Sequence, residues 1–173
     1  MSLELIGIGA IIGAIIVTIT NIVIFQKNRK YELSKEQLTK LYNPLNSLIE
    51  KKYKYLEFLK INQDKFEEYA IENYKFFLEL RNIYLNNEVY SSLDLHSAFH
   101  TLHHNHEMEY YNYSNKYNNE DDILKHLALF HMTNKLDDDE ESEFEQKIEK
   151  FIEVAQNDLY KIYNQKPVTR YFK

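Results

Sequence analysis

Every glycine in this chain lies between residues 7 and 13, and the 160 residues that follow contain none. The same stretch holds only two prolines, Pro44 and Pro167. A sheet-rich domain needs tight reversals every few residues, and glycine and proline are the residues that make them. Beyond residue 13 the chain therefore has little choice but helices joined by short polar breaks.

The glycines themselves stand inside a second constraint. Residues Leu5 to Phe25 read LIGIGAIIGAIIVTITNIVIF, 21 consecutive positions without a charge. As a helix rising 1.5 Å per residue this run is about 31 Å long, the thickness of a bilayer's hydrocarbon core. Glu4 is the one charged residue before it, whereas Lys27, Arg29, Lys30 and Lys35 follow it. Basic residues concentrate on the cytoplasmic side of a spanning helix, so the expectation is a single-pass protein of the cell membrane. Its N-terminus faces out, and residues 26–173 face the cytoplasm. A cleaved signal peptide fits less well, because it wants a basic start and a small-x-small cleavage site, and the run ends Ile22-Val23-Ile24-Phe25. Gly9 and Gly13 form a GxxxG pair, a pattern that lets two helix backbones approach closely in lipid and points to helix association.

Residues 26–119 carry 13 basic and 13 acidic side chains, while 120–173 carry 8 basic and 13 acidic. No broad positive surface results, which argues against nucleic acid as a partner. Zero cysteines exclude disulfides, thiolate ligands and a thiol nucleophile, in keeping with a reducing compartment.

Hydrophobic spacing of the helical kind recurs after the run. After the run the chain can continue as a helix through Tyr42, making 26–43 a juxtamembrane helix, although Ser34-Lys35-Glu36-Gln37 would also serve as a capping box and restart it. Asn43-Pro44 reads as a break, asparagine as cap and proline at the first helical position. Leu45, Leu48, Ile49, Lys52, Leu56 and Leu59 then mark one helix face, and Phe66, Ala70, Asn73, Phe77, Leu80 and Tyr84 the next. Leu95, Phe99, Leu102, His106 and Tyr113 line a helix opening near Ser91-Ser92. A short helix follows from Asp121 to about Thr133. The last one keeps Phe144, Ile148, Phe151, Ile152, Ala155, Leu159 and Ile162 in register. The expected fold is all-α: a transmembrane helix within 1–25, the juxtamembrane helix, a cytoplasmic bundle over 44–164 and a basic-aromatic tail over 165–173.

Five of the seven histidines fall between His96 and His106. On a helix His96, His100, His103 and Glu107 share one face, and imidazoles three or four residues apart can hold zinc, copper or nickel. His96 and Glu107 stand about 16 Å apart along the axis, so one ion cannot take all four. A closed site needs ligands from elsewhere, with His126, His131 and Asp94 as the candidates. Neither HExxH nor the paired Glu-x-x-His motifs of a di-iron bundle occur. The plainer alternative is a polar helix flank with His106 at the core edge. Seven carboxylates crowd residues 137–145. Asp137, Asp138, Asp139, Glu140 and Glu141 either decorate a solvated helix start or dock a basic partner. The run lacks the glycine and alternation of a calcium loop. Glycine-rich phosphate loops are absent, and Arg81 has no histidine four to six residues downstream, as helical ribonucleases require. No catalytic residue and no cofactor is assigned.

Leu41-Tyr42-Asn43-Pro44-Leu45, shortly after an apolar anchor and before aromatic-rich helices, resembles a loose group of uncharacterised bacterial single-span proteins. Their cytosolic helical domain begins at a Leu-Tyr-x-Pro-Leu motif. The resemblance implies a bacterial or phage-related setting, including antiviral defence, and brings no active site with it. The leading expectation is a non-enzymatic anchored protein whose bundle binds a protein partner at the inner membrane face, with lipid and a homo-oligomer through the membrane helix as further contacts. The first alternative is an oligomerising membrane effector, a phage-defence or toxin protein, whose anchors associate through Gly9 and Gly13 and breach the bilayer. The second is a histidine-cluster metal site with a hydrolase or sensing role.

Overall fold

The computed structural model describes residues 3–61, 63–133 and 142–164, with the side chains of residues 3–14, 63 and 105 outside that description. All of its regular structure is helical: the all-α expectation holds among the described residues. Helix α1 runs Leu3–Gln37, α2 Asn43–Ile61, α3 Phe66–Asn87, α4 Leu93–Ser114, α5 Glu120–Thr133 and α6 Glu143–Tyr163.

The helix continues from the uncharged run through Tyr42, as one reading of the sequence has it, and the departure from expectation is at Asn43-Pro44, where no break occurs. Ser34 does not restart the helix; its hydroxyl donates back to the Lys30 carbonyl at 2.9 Å inside an uninterrupted α1. Asn43 is not a cap either, because its φ of −67° and ψ of −44° are helical. The chain instead widens into a π-helical turn over Leu38–Tyr42, and the Asn43 N–H reaches the Leu38 carbonyl. Pro44 explains this. A proline inside a helix lacks the N–H for the preceding turn and its ring crowds the carbonyl four residues back. One extra residue in the turn relieves both problems, so the helix passes through with a bulge.

From Leu41 onward the apolar faces meet in one core. Helix α2 packs on α3, α4 on α6, and α5 lies against both α3 and α4. Leu45, Ile49, Leu56, Leu59, Ala70, Phe77, Leu80, Tyr84, Leu95, Phe99, Leu102, Phe151 and Ile162 are buried, as their spacing predicts. Leu48 and Leu159 are half-buried at the edge, and Phe66 is exposed. Aromatic rings fill the centre. Tyr84 stacks on Phe99 with centroids 3.9 Å apart, and Phe151 meets both rings edge-on. Each such ring removed from water contributes about 1.5–3 kcal/mol, which a domain lacking disulfides relies upon.

Two buried carboxylates pin the helices. Asp158 on α6 accepts from the Tyr42 hydroxyl at 3.2 Å and from the Ser92 hydroxyl, while the Ser92 N–H donates to the Tyr42 oxygen. Ser92 also caps α4 by accepting from the Leu95 N–H. Burial, reinforced by the Asp158 charge, pushes the Tyr42 phenol up to about 12. Glu145 closes a capping box with Ser142 at the start of α6 and accepts from the Tyr69 hydroxyl on α3. Burial works to raise this carboxyl, but the bonds from Tyr69 and Ser142 and the charge of Lys60 outweigh it and hold it below the usual range. The expected start of the last helix in the acidic run is thus found, with Ser142 as its cap.

Among the described residues no helix is long and apolar enough to cross a membrane. Of the uncharged run predicted to span, residues 15–25 have described side chains, and residues 5–14 lie outside that set.

Candidate functional site

Three features of the chain bear on function: the apolar surface of α1, the histidine seam between α3 and α4, and a buried pair of imidazoles.

Helix α1 is 35 residues long, about 52 Å. Among the described side chains it meets the bundle at its C-terminal end, where Ser34 is buried and the Gln37 side-chain amide donates to the Tyr90 carbonyl at 3.1 Å. Further from the bundle, Ile15, Ile16, Val17, Ile19, Ile22, Val23 and Phe25 are 43–66% exposed. At 100° per residue these seven positions surround the whole helix rather than mark one stripe. Thr20 turns its hydroxyl back onto the Ile16 carbonyl at 2.8 Å, so its polar group is satisfied within the helix. Gly9 and Gly13 belong to α1, and their surroundings lie outside the described side chains.

The histidine face of α4 is divided by what α3 presents to it. His96 and His100 sit with their rings edge to face, centroids 4.3 Å apart. Glu88, in the 3-10 turn Glu88–Tyr90 that closes α3, approaches His96 Nδ1 at 3.3 Å. The Tyr84 hydroxyl lies 2.9 Å from that same nitrogen. One turn along α4 the pairing changes. Arg81 Nε donates to His103 Nδ1 at 3.4 Å, and His103 Nε2 faces Glu107 at 3.0 Å. Burial holds His103 below its ordinary value, and Arg81 adds to this against the opposite pull of Glu107. The four residues that share a helix face in sequence therefore split into two groups. His96 and His100 join Glu88, and His103 and Glu107 join Arg81.

None of the three distant candidates joins either group. His126 stacks on Tyr117 with centroids 4.2 Å apart and places Nδ1 2.7 Å from the Asp122 carbonyl oxygen. Asp94 lies instead along a cleft of about 450 Å³ between α4 and α6, together with Lys147, Lys150, Asp158 and Lys161. Its lysines are already paired, Lys147 with Glu143 and Lys161 with Asp158. His131 is buried, stacked against Phe144 at 4.3 Å, and its Nε2 has no hydrogen-bond partner among the described residues. His106 is buried beside it, with Nδ1 3.1 Å from the Tyr74 hydroxyl. Burial first, then the neighbouring cations and imidazoles, lowers His106 to about 3; burial and Lys147 lower His131 to about 4. Both are neutral core groups at physiological pH. His106 thus lies inside the core, on the inner side of α4 that its spacing marks, rather than at the core edge.

Glu88 and Arg81 carry no sequence signal as partners of these histidines. Glu88 precedes His96 by eight residues across a turn, and Arg81 reaches His103 from the facing helix. The candidate docking residues Asp137, Asp138, Asp139, Glu140 and Glu141, and the tail 165–173, lie outside the described residues.

Compared with known proteins, the chain matches no family model, no curated sequence and no solved structure.

Proposed function

We propose that this protein is a membrane-anchored interaction module, with α1 held in the bilayer and the α2–α6 bundle binding a protein partner at the cytoplasmic face. The observation that carries the reading is the ring of large apolar side chains from Ile15 to Phe25, exposed on every side of a helix that leaves the bundle. Water is a poor solvent for such a surface. Side chains of this kind each gain about 1.5–3 kcal/mol on leaving water. The uncharged sequence continues back to Leu5, and Lys27, Arg29, Lys30 and Lys35 follow on the bundle side, which sets the orientation. Because α1 passes into α2 through a π turn rather than a loop, and Gln37 is tied to Tyr90, the bundle is presented in a defined direction. Val89 and Leu93, 86% and 88% exposed at the α3–α4 corner beside that junction, supply apolar contact area for the partner.

The absence of native cysteine makes a clean test. Tyr160→Cys places one thiol on the exposed face of α6. In intact cells a membrane-impermeant maleimide should leave it unlabelled, and permeabilisation should expose it. Labelling of intact cells would reverse the orientation. Photo-crosslinkers placed at Val89 and Leu93 should give one discrete adduct; a featureless smear counts against a specific partner.

A further inference from the structure

We propose that Glu88, His96 and His100 form a binding site for a divalent transition-metal ion at the corner where α3 hands over to α4. One donor atom from each of the three residues lies within 4.8 Å of the others. His96 and His100 are four residues apart on α4, the spacing at which two imidazoles reach a single ion. Glu88 brings the carboxylate from a different element, so the three donors converge from two directions instead of lying along one helix.

The donor set selects the ion class. Magnesium and calcium ask for shells of oxygen ligands, whereas two imidazoles and one carboxylate suit zinc and its first-row neighbours. Metal–ligand distances of about 2.0–2.2 Å in tetrahedral geometry put two donors about 3.4 Å apart, so side chains that start within 4.8 Å need to close by no more than about 1.4 Å. They are free to do so, since His96 and Glu88 are 41% and 44% exposed. The platform beneath them is fixed. Tyr84 and Phe99 are buried and stacked, and the Tyr84 hydroxyl holds His96 at Nδ1. Three protein ligands leave at least one position for water. His103 stays outside the site because Arg81 and Glu107 occupy its two ring nitrogens. Bound there, an ion ties the end of α3 to the first turns of α4. This site is independent of whether α1 lies in lipid.

The test uses the untagged full-length chain, stripped of metal and titrated with zinc against a chromophoric chelator. One zinc per chain is expected. Glu88→Gln, His96→Ala and His100→Ala should each weaken binding about tenfold or more, whereas His103→Ala and Glu107→Gln should leave it within about twofold. The ligands are on the surface, and Glu88→Gln preserves shape, so loss of binding with unchanged helical circular dichroism reports the site itself. No stoichiometric zinc, binding indifferent to Glu88→Gln and His100→Ala, or equal loss on His103→Ala or His104→Ala would each overturn the proposal.

Discussion

Lowering the pH should destabilise the bundle through two histidines buried in its core. His106 and His131 titrate at about 3 and about 4 in the folded protein, against an ordinary value of 6.5. Both are depressed, so the unfolded chain binds protons that the folded chain refuses. Their stabilisation is complete above pH 6.5 and is lost progressively as the pH falls toward 4 and 3. At about pH 4.5 an unfolded imidazole is protonated by about a hundred to one while each folded one remains largely neutral. That corresponds to about 2.5 kcal/mol for each histidine, or about 5 kcal/mol for the pair. A domain of ordinary stability has about 5–15 kcal/mol in all, so the loss removes from about a third to all of it. Glu145, held low by Tyr69, Ser142 and Lys60, keeps its charge through most of this window and adds its own loss only below it. Urea unfolding of the full-length chain, followed by circular dichroism from about pH 7 to 4.5, should show a limiting slope of at least about 2.7 kcal/mol per pH unit, the value for the two core histidines, with His103 adding in the same direction. The double variant His106→Gln/His131→Phe should flatten that slope. A wild-type stability constant within about 1 kcal/mol over the range would refute the reasoning, as would an unchanged slope in the double variant.

Other outcomes follow from named contacts. Asp158→Ala strips the shared acceptor from Tyr42 and Ser92 and should cost about 2–4 kcal/mol in urea unfolding, while Tyr42→Phe, which removes one hydroxyl, should cost about 1. Equal effects of the two would show that the carboxylate is not the hub. Ser142→Ala breaks the capping box of α6 and should cost about 1 kcal/mol, visible as faster amide exchange in its first turn. Phe99→Ala empties the stack on Tyr84 and should cost about 3–5 kcal/mol.

The bundle was largely legible from residue spacing, and the reason is physical. Apolar residues recurring every three or four positions have to face a common core, so Phe77, Leu80, Tyr84, Phe99 and Phe151 are found where their period places them. The join of α1 to α2 was not legible. Asn43-Pro44 has the chemistry of a helix start, whereas in the fold Leu41 and Tyr42 just before it are fully buried and the helix carries Pro44 through a π bulge. Ser142-Glu143-Phe144-Glu145 does carry the Ser-x-x-Glu pattern of a capping box, overshadowed in sequence by the carboxylates before it. The histidine site lies between these cases. The four-residue spacing of His96 and His100 is a local signal, whereas Glu88 and Arg81 come from a facing element. Partners brought by tertiary packing leave no mark in the spacing of one helix.

The claim on which this account rests is that α1 resides in lipid. Flotation of the full-length chain with liposomes after an alkaline carbonate wash tests it most directly. The chain should rise with the vesicles, and Ile16→Lys/Ile19→Lys should send a share of it back to the soluble fraction with the bundle still folded. A native chain that stays at the bottom of the gradient, soluble without detergent, would contradict it.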